Sequence, residues 1–517
     1  MSSAEDPGPA GSAGHTPGAR AVGGSGFVAA MTVTDATMLA VGSMIGSGIF
    51  IVSAGIARAV GSPAGLLAAW TLTGVITVLG ALAYGELAAM YPRAGGQYVY
   101  LREAFGAFPG FLYGWTLLTV IQTGTIAAVA VAFGRFAGVI LPAISPVPLA
   151  HMPSGTLCVA ALGCHDAAAA ITLGLTPQRL LAVAVVWVLT AINMRGVREG
   201  TGLQTSLTLI KAGAVGAFVV LAVTVGRNAA AVAANFSGGA FFRHVPTAGP
   251  YLLTFGAAMV GCLFSTDAWN NVTFAAAEVR DPRRNLPRAL VFGTGIVTLL
   301  YLCTNVAYLS VLPLTGMADG ATVAARGIQF ATQDRVATAA ADQIFGPSGS
   351  VVMAIAILIS TFGCVNGLVL GGARVYYAMA GDGLMFPAVG RLSGRHVPAI
   401  ALVVQAVWVS VLCVSGTYAQ LIEFVIFAAL LFYVATTVGL FVLRRRQPDT
   451  LRPYRAWGYP VLPAVYIALT SSIALTLLIA PATRAHALIG LLIVVCGAPV
   501  YGIWRVAERV RRSAAAP

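Results

Sequence analysis

Apolar residues in this chain come in long runs separated by short polar stretches, with neither strand-like alternation nor a single helical stripe. A run of roughly 20 apolar residues spans the hydrocarbon of a bilayer. Twelve runs reach about that length, at 33–57, 64–90, 107–141, 178–194, 202–225, 250–277, 288–313, 349–378, 397–415, 419–443, 460–480 and 484–504. Each predicts a transmembrane helix. The third is too long for one perpendicular crossing and predicts a tilted helix. Two runs are broken near their centres. The first is interrupted by Gly42-Ser43-Met44-Ile45-Gly46-Ser47-Gly48-Ile49-Phe50, the sixth by Phe264-Ser265-Thr266-Asp267-Ala268-Trp269-Asn270-Asn271. Unwound backbone at membrane depth is tolerated only where protein or a water-filled cavity satisfies its amides. Matched interruptions, one opening each half of a repeat, point to a carrier's substrate site. Runs 1–5 and 6–10 then form two inverted halves, about 33–225 and 250–443, because five is odd. The last two runs, about 460–504, are additional.

Composition agrees with this. The chain has 517 residues, 58% of them hydrophobic and 9% charged, with a mean hydropathy of +0.86. Soluble domains carry about 25% charged residues. The fold class expected is an all-α integral membrane protein of about twelve transmembrane helices over 31–505. Residues 1–30, rich in Gly, Ala, Ser and Pro, are expected to be a disordered tail, and 506–517 a short C-terminal one. The tail has no basic segment followed by an apolar core, so no cleaved signal peptide is expected.

The net charge of +13 suggests a polyanion partner only until its distribution is read. With the N-terminus inside, 21 of the 30 basic residues fall on the inner side and seven outside, leaving Arg135 and Lys211 in the membrane. That asymmetry follows the positive-inside rule and places both termini in the cytoplasm. Nucleic acid is not an expected partner.

The first break can bind charged groups with its backbone. Amides at the start of the second half-helix, with the positive end of its dipole, suit a carboxylate. Gly46, Ser47 and Gly48 allow close approach there. Exposed carbonyls at the end of the first half-helix suit a cation. Amides and carbonyls together fit a zwitterion. Close helix packing is the plainer use of Gly42, Gly46 and Gly48. Asp267, beside Trp269 and two Asn in the second break, makes packing alone a poor account, since a midplane carboxylate marks function by default.

Lys211 is the second strong signal. The chain has 29 Arg and one Lys, and the Lys lies within the fifth run. A buried Lys can release its proton, which Arg effectively cannot. Lys211 is therefore either a proton carrier or a fixed cation standing where another carrier would bind Na⁺. Ser360, Thr361 and Asn366 in the eighth run either face Lys211 or bond to their own helix. Glu86, Arg374 and Glu423 lie near run ends and are expected in ion pairs or gates. The sequence assigns Arg135 no role.

Seven scattered cysteines and six His show no metal-ligand spacing. Cys158 and Cys164 share an outer loop, where a local disulfide and free thiols both fit. There is no nucleophile–base pair, phosphate-binding loop or paired carboxylate, so catalysis, metal and cofactor are not expected. Residues 92–106 predict a turn and a short amphipathic helix on the inner surface. Residues 336–345 predict a helix in an outer loop, either a lid or a plain surface helix.

Several motifs together resemble the amino acid–polyamine–organocation superfamily, in its L-type amino acid transporter branch. They are Gly46-Ser47-Gly48-Ile49-Phe50, Tyr91 to Tyr98, Asp267-Ala268-Trp269-Asn270, Glu278 to Ala289, Gly363 to Gly367, and Arg374 to Pro387. The resemblance implies a five-plus-five inverted repeat with discontinuous helices 1 and 6, and alternating access. It places the substrate carboxylate at the amides near Ser47 and Gly48, and the ammonium at carbonyls of Met44, Phe264 and Asp267. Ile45, Gly46 and Ser265 belong to the same backbone site, and Phe264 is the gate ring. Trp269, Gln122 and Phe427 border the side-chain pocket. Lys211, with Ser360, occupies the region of a sodium site, so transport should not need Na⁺. Thr266 and Ala268 depart from the aromatic residue and Gly common in the family, and Ala429 and Leu430 from Asn and Trp of some relatives. These changes leave side-chain specificity open.

The reading is a sodium-independent amino acid permease for neutral amino acids, working by exchange or proton-coupled symport. The alternatives are a carrier of cationic amino acids or polyamines, and a non-transporting amino acid sensor. The Ala- and Arg-rich composition suggests a GC-rich bacterium, hence the inner membrane and no accessory subunit.

Overall fold

The computed structural model describes residues 27, 29–149, 155–157, 171–242, 250–415 and 418–514. Most of the expected N-terminal tail, and both Cys158 and Cys164, lie outside them. Helices α1 (Val33–Met44), α2 (Gly48–Val60), α3 (Pro63–Met90), α4 (Gln97–Phe105), α5 (Ala107–Thr116) and α6 (Gln122–Ile140) open the chain. They are followed by α7 (Pro177–Asn193), α8 (Val197–Thr224), α9 (Ala229–Phe236), α10 (Tyr251–Ser265), α11 (Asn271–Phe274) and α12 (Pro282–Val311). The remainder is α13 (Val323–Arg326), α14 (Val336–Phe345), α15 (Pro347–Gly381), α16 (Ala399–Ser415), α17 (Tyr418–Arg446), α18 (Val461–Ile479) and α19 (Pro481–Ala514). Among the described residues the only strands form a small antiparallel ribbon, Gly155–Leu157 with Ile171–Leu173.

Eight helices among the described residues are long and apolar enough to cross a membrane, and α1 with α2 makes a ninth span bent by 42°. The apolar helices α7, α10 and α16 fall at the three remaining expected runs but have only 17, 15 and 17 residues. The first break is sharp because Ile45 leaves helical dihedrals (φ −74°, ψ 86°) and α2 restarts at Gly48.

The third run is one rod whose residues Leu117–Ile121 form a π-helical turn; π-turns often mark functional sites. The structure differs from the expectations in three places. After the second break the chain makes only the single turn α11 and a 3₁₀ turn at Ala276–Glu278, so no second half-helix matches α2. Helix α4 is tucked under the bundle and not laid on its surface, with Gln97 to Leu101 all buried. Its entry is tight: a Cβ on Gly96, at φ +44°, would lie 2.2 Å from Thr273 Oγ1. Finally, α19 runs unbroken to Ala514, so the expected C-terminal tail is mostly helix.

Both ends of the described chain meet one face of the bundle. Met31 pairs with Val279 in a parallel bridge, and Trp504 Nε1 donates to Gly383 O at 2.8 Å. Ion pairs close this face. Glu278 and Arg374 are buried and doubly bonded, Nε to Oε1 at 2.8 Å and Nη2 to Oε2 at 3.1 Å. Glu86, fully buried, accepts from Arg444 Nε at 2.8 Å and from Ala456 N at 2.7 Å, with Arg452 Nε 3.3 Å away. Asp382 meets Arg102 and accepts from Tyr98 Oη at 2.8 Å. Burial works against the Arg102 cation, but Glu103 and Asp382 outweigh it and hold its pKa above the ordinary value. The opposite face is open.

Candidate functional site

The two breaks touch. A Cβ on Gly48 would come within 2.0 Å of Ser265 Oγ, so only glycine lets α2 lie this close to the end of α10. Ser265 Oγ is turned back to Gly261 O at 2.7 Å. Tyr301 Oη, from α12, donates across both breaks, 3.0 Å from Met44 O and 3.2 Å from Ser265 O.

Ser47 caps α2 in a helical conformation and is fully buried. Among the described residues no backbone carbonyl accepts the Gly48 or Ile49 N–H. These are the orphan donors a helix start leaves, and they are buried where the substrate carboxylate was expected. The carbonyls assigned to the ammonium are less open. Met44 O already accepts from Gly46 N at 2.8 Å and from Tyr301. Phe264 O accepts from Asp267 N at 3.2 Å. The Asp267 carbonyl accepts nothing among the described residues.

Lys211 reaches the break from α8. Its Nζ donates to Gly42 O at 2.5 Å, Ile45 O at 2.8 Å and Ser360 O at 3.4 Å. An ammonium has three donors, and each meets a carbonyl. The charge sits at the carbonyl end of α1, where the helix dipole favours a cation. Ser360 Oγ lies 3.2 Å from both Ile45 O and Gly46 O, so it seals the same turn. Thr361 bonds to its own helix at Ile357 O, 2.8 Å. Asn366 instead joins Asn193 and Gln204 at 2.8 and 3.0 Å.

Asp267 is buried, and Tyr433 Oη of α17 donates to its Oδ1. The residue after it, Ala268, lies at φ +63°, the left-handed region that favours glycine. Trp269 packs edge-on to Tyr84 at 4.7 Å and 5.6 Å from Tyr433. Gln122, just past the π-turn, donates to Leu368 O at 2.7 Å. Two small cavities flank Asp267, of ≈ 10 Å³ beside Gln122 and ≈ 20 Å³ beside Trp269. Neither holds more than about one water. The structure turns Phe427 away from them, toward Gly490 of α19. Ile426, Ala429, Leu430 and Tyr433 line the second cavity in its place, because they share a helix face that excludes position 427.

A much larger cavity, ≈ 1240 Å³, opens on the face away from the termini. Its inner end is lined by Ile51, Val52, Val260 and Gly261, about one helical turn from Gly48 and Ser265. Arg135, unassigned by sequence, lines it, as do Arg58, Arg179, Asp334 and Glu423. Among the described residues no group of three or more His, Cys, Asp or Glu is arranged to hold a metal.

Sequence reasoning missed Tyr301 and Tyr433. Tyr301, Thr304, Asn305 and Tyr308 recur at helical spacing in an otherwise apolar span, and that polar stripe was the available signal. Tyr308 donates to Ile49 O at 3.2 Å, and Asn305 accepts from Ser53 at 2.7 Å.

Known proteins are similar to this chain in sequence. The chain is similar to the b(0,+)-type amino acid transporter 1 of Mus musculus, 29% identical over 447 residues, covering 85% of this chain and 80% of the relative. The serine/threonine exchanger of Bacillus subtilis (strain 168) is 29% identical over 437 residues, covering 84% and 87%. The large neutral amino acids transporter small subunit 2 of Rattus norvegicus is 29% identical over 496 residues, covering 94% and 83%. That last protein's name makes it a subunit, so the expectation of no accessory subunit draws no support from the relatives. A family model described as amino acid permease matches residues 31–498. The chain belongs to the amino acid permease family.

Proposed function

We propose that this permease carries neutral amino acids without Na⁺, by alternating access about the two touching breaks. The observation that carries the Na⁺-independence is the seat of Lys211 Nζ on the carbonyls of Gly42, Ile45 and Ser360. A covalently held ammonium there leaves no seat for a metal cation. The buried, orphan amides of Gly48 and Ile49 support carboxylate binding at the first break. Exchange and proton symport both fit this arrangement. The cell (inner) membrane, with both termini in the cytoplasm, is the matching location. It is supported by the excess of Arg on the loops of the termini face.

The Asp267 carboxylate beside both small cavities favours a second reading, transport of cationic amino acids. Tyr433 already occupies one of its oxygens, which favours neutral cargo. The test is uptake of labelled amino acids into proteoliposomes with empty or amino-acid-loaded lumen, with and without Na⁺ and a pH gradient. Neutral amino acid uptake indifferent to Na⁺ is expected. A Na⁺ requirement would discard the proposal, and binding without flux would favour a sensor.

A further inference from the structure

Between α17 and α18 the chain crosses the termini face as a non-helical segment whose side chains alternate in exposure. Arg452, Tyr454 and Ala456 turn inward. Arg452 Nε lies 3.3 Å from Glu86, Ala456 N donates to Glu86, and a Cβ on Gly85 would lie 2.9 Å from Tyr454 Cε1. Leu451, Pro453, Arg455 and Trp457 turn outward, with Leu451 exposed by 65% and Trp457 by 74%. Both flanking helices are long and apolar enough to cross a membrane, so this edge lies where their spans end, at the depth of the lipid headgroups. Tryptophan is enriched at that depth. Val461 and Val465, the fourth and eighth residues after Trp457, are also exposed, so Trp457 heads the lipid-facing stripe of α18. On α17, Arg445 follows the exposed Val438 by two helical turns and ends that helix's lipid-facing stripe.

One oxygen joins the two helix ends. Glu86 Oε2 accepts from Arg444 Nη2 at 2.5 Å and from Ala456 N at 2.7 Å, and the Arg444 guanidinium lies 3.6 Å from the centre of the Tyr459 ring. Arg445 and Arg455 are the chain neighbours of the two residues held there. Both are exposed, and neither has an ion pair, hydrogen bond or ring contact among the described residues. Residues 444–455 hold five arginines and one acid, Asp449. The positive-inside rule accounts for arginine on this face, but not for a leucine and a tryptophan laid open beside it. A basic segment directly after a span attracts anionic headgroups.

We propose that this edge is a binding site for an anionic phospholipid of the leaflet on the termini side. Arg445 and Arg455 hold the phosphate, and Leu451 and Trp457 sit among the first carbons of the acyl chains. A free phosphate makes no use of those two apolar side chains, which is what selects a lipid. A lipid held by both arginines braces α17 to the segment before α18, at the junction that Glu86 ties from within.

The test uses the full chain purified in neutral detergent, with phosphatidylglycerol as the probe and phosphatidylcholine as its zwitterionic counterpart. Bound lipid is counted by mass spectrometry and melting is followed in parallel. Wild type is expected to bind phosphatidylglycerol in preference to phosphatidylcholine and to melt higher with it. Arg445→Gln and Arg455→Gln are each expected to weaken phosphatidylglycerol binding roughly fivefold, the effect of one charge near an anionic surface. The double variant is expected to lose the rise in melting temperature, and Arg455→Lys to keep it. Arg395→Gln, at an exposed arginine of another loop, is expected to leave binding unchanged. Equal binding of the two lipids by wild type, or a loss in Arg395→Gln as large as in Arg455→Gln, overturns the site. Displacement of the lipid by inorganic phosphate would replace the lipid with a free anion and overturn it too. No transport enters these readouts, so a failure to carry amino acids would sink the permease reading alone.

Discussion

Tyr433 of α17 donates its hydroxyl to the carboxylate of Asp267, tying the second break to a helix more than 160 positions further along the chain. The bond uses a carboxylate oxygen that would otherwise face the small cavities on either side. Tyr433→Phe keeps the ring and removes the donor. The variant is expected to raise the ratio of lysine to leucine uptake by roughly tenfold, the worth of one charged contact of about 1.4 kcal/mol. Adding Asp267→Asn should return the ratio to the wild-type value. An unaltered ratio in Tyr433→Phe would show that the carboxylate does not meet the side chain of the cargo.

Lys211 donates to three carbonyls, of which Ile45 O also accepts from Ser360 Oγ. Lys211→Ala leaves Gly42 O, Ile45 O and Ser360 O without that donor, and a buried unsatisfied group costs about 1–3 kcal/mol. Thermal stability should fall and transport should be lost. Lys211→Gln restores part of the hydrogen bonding without the charge. Transport that keeps its pH dependence in folded Lys211→Gln removes the lysine from proton coupling and leaves it a structural cation.

Ala268 holds a left-handed backbone at φ +63°. That conformation costs an L-residue roughly 1–2 kcal/mol, while glycine's extra chain entropy costs about 0.5–1 kcal/mol. Ala268→Gly should therefore stabilise the folded protein slightly, by roughly 0.5–1 kcal/mol. Melting of the purified variant in detergent checks the sign. A lower melting temperature would mean that the methyl group packs better than the backbone is strained.

Glu278 and Arg374 are the most deeply buried ion pair on the termini face. Removing one partner of such a pair typically costs about 3–5 kcal/mol, because the other is left charged and alone. Arg374→Ala should loosen the short segment from Asn271 to Val279 and the Met31 bridge that depends on it. Amide hydrogen exchange there should quicken relative to wild type. Protection equal to wild type would deny the pair a role as a gate.

Much of this architecture was legible in the residue order. Apolar runs placed most of the long helices to within about six residues, since hydrocarbon thickness sets their length. Glycine and polar residues marked both breaks, because unwound backbone needs them. The single lysine stood out against 29 arginines. What remained hidden depended on helix rotation. Phe427 and Tyr433 lie on one helix, yet only the structure shows which faces Asp267 and which faces Gly490. The shortness of the second half of the broken sixth span was hidden too. Its residues are apolar enough to continue a helix, and packing against Gly95 and Gly96 decides that they turn instead.

A cation joined to its own polypeptide cannot dissociate. A carrier that releases a metal ion with its cargo draws work from that ion's gradient at every turnover. On the proposed reading the ammonium at the break returns with the protein each time, so a sodium gradient would not be converted into accumulation. The direction of net movement is left to the concentrations of the amino acids themselves and to whatever protons travel with them. A cell depending on such a carrier keeps its supply when external sodium disappears, and loses its uphill drive when the partner gradient does.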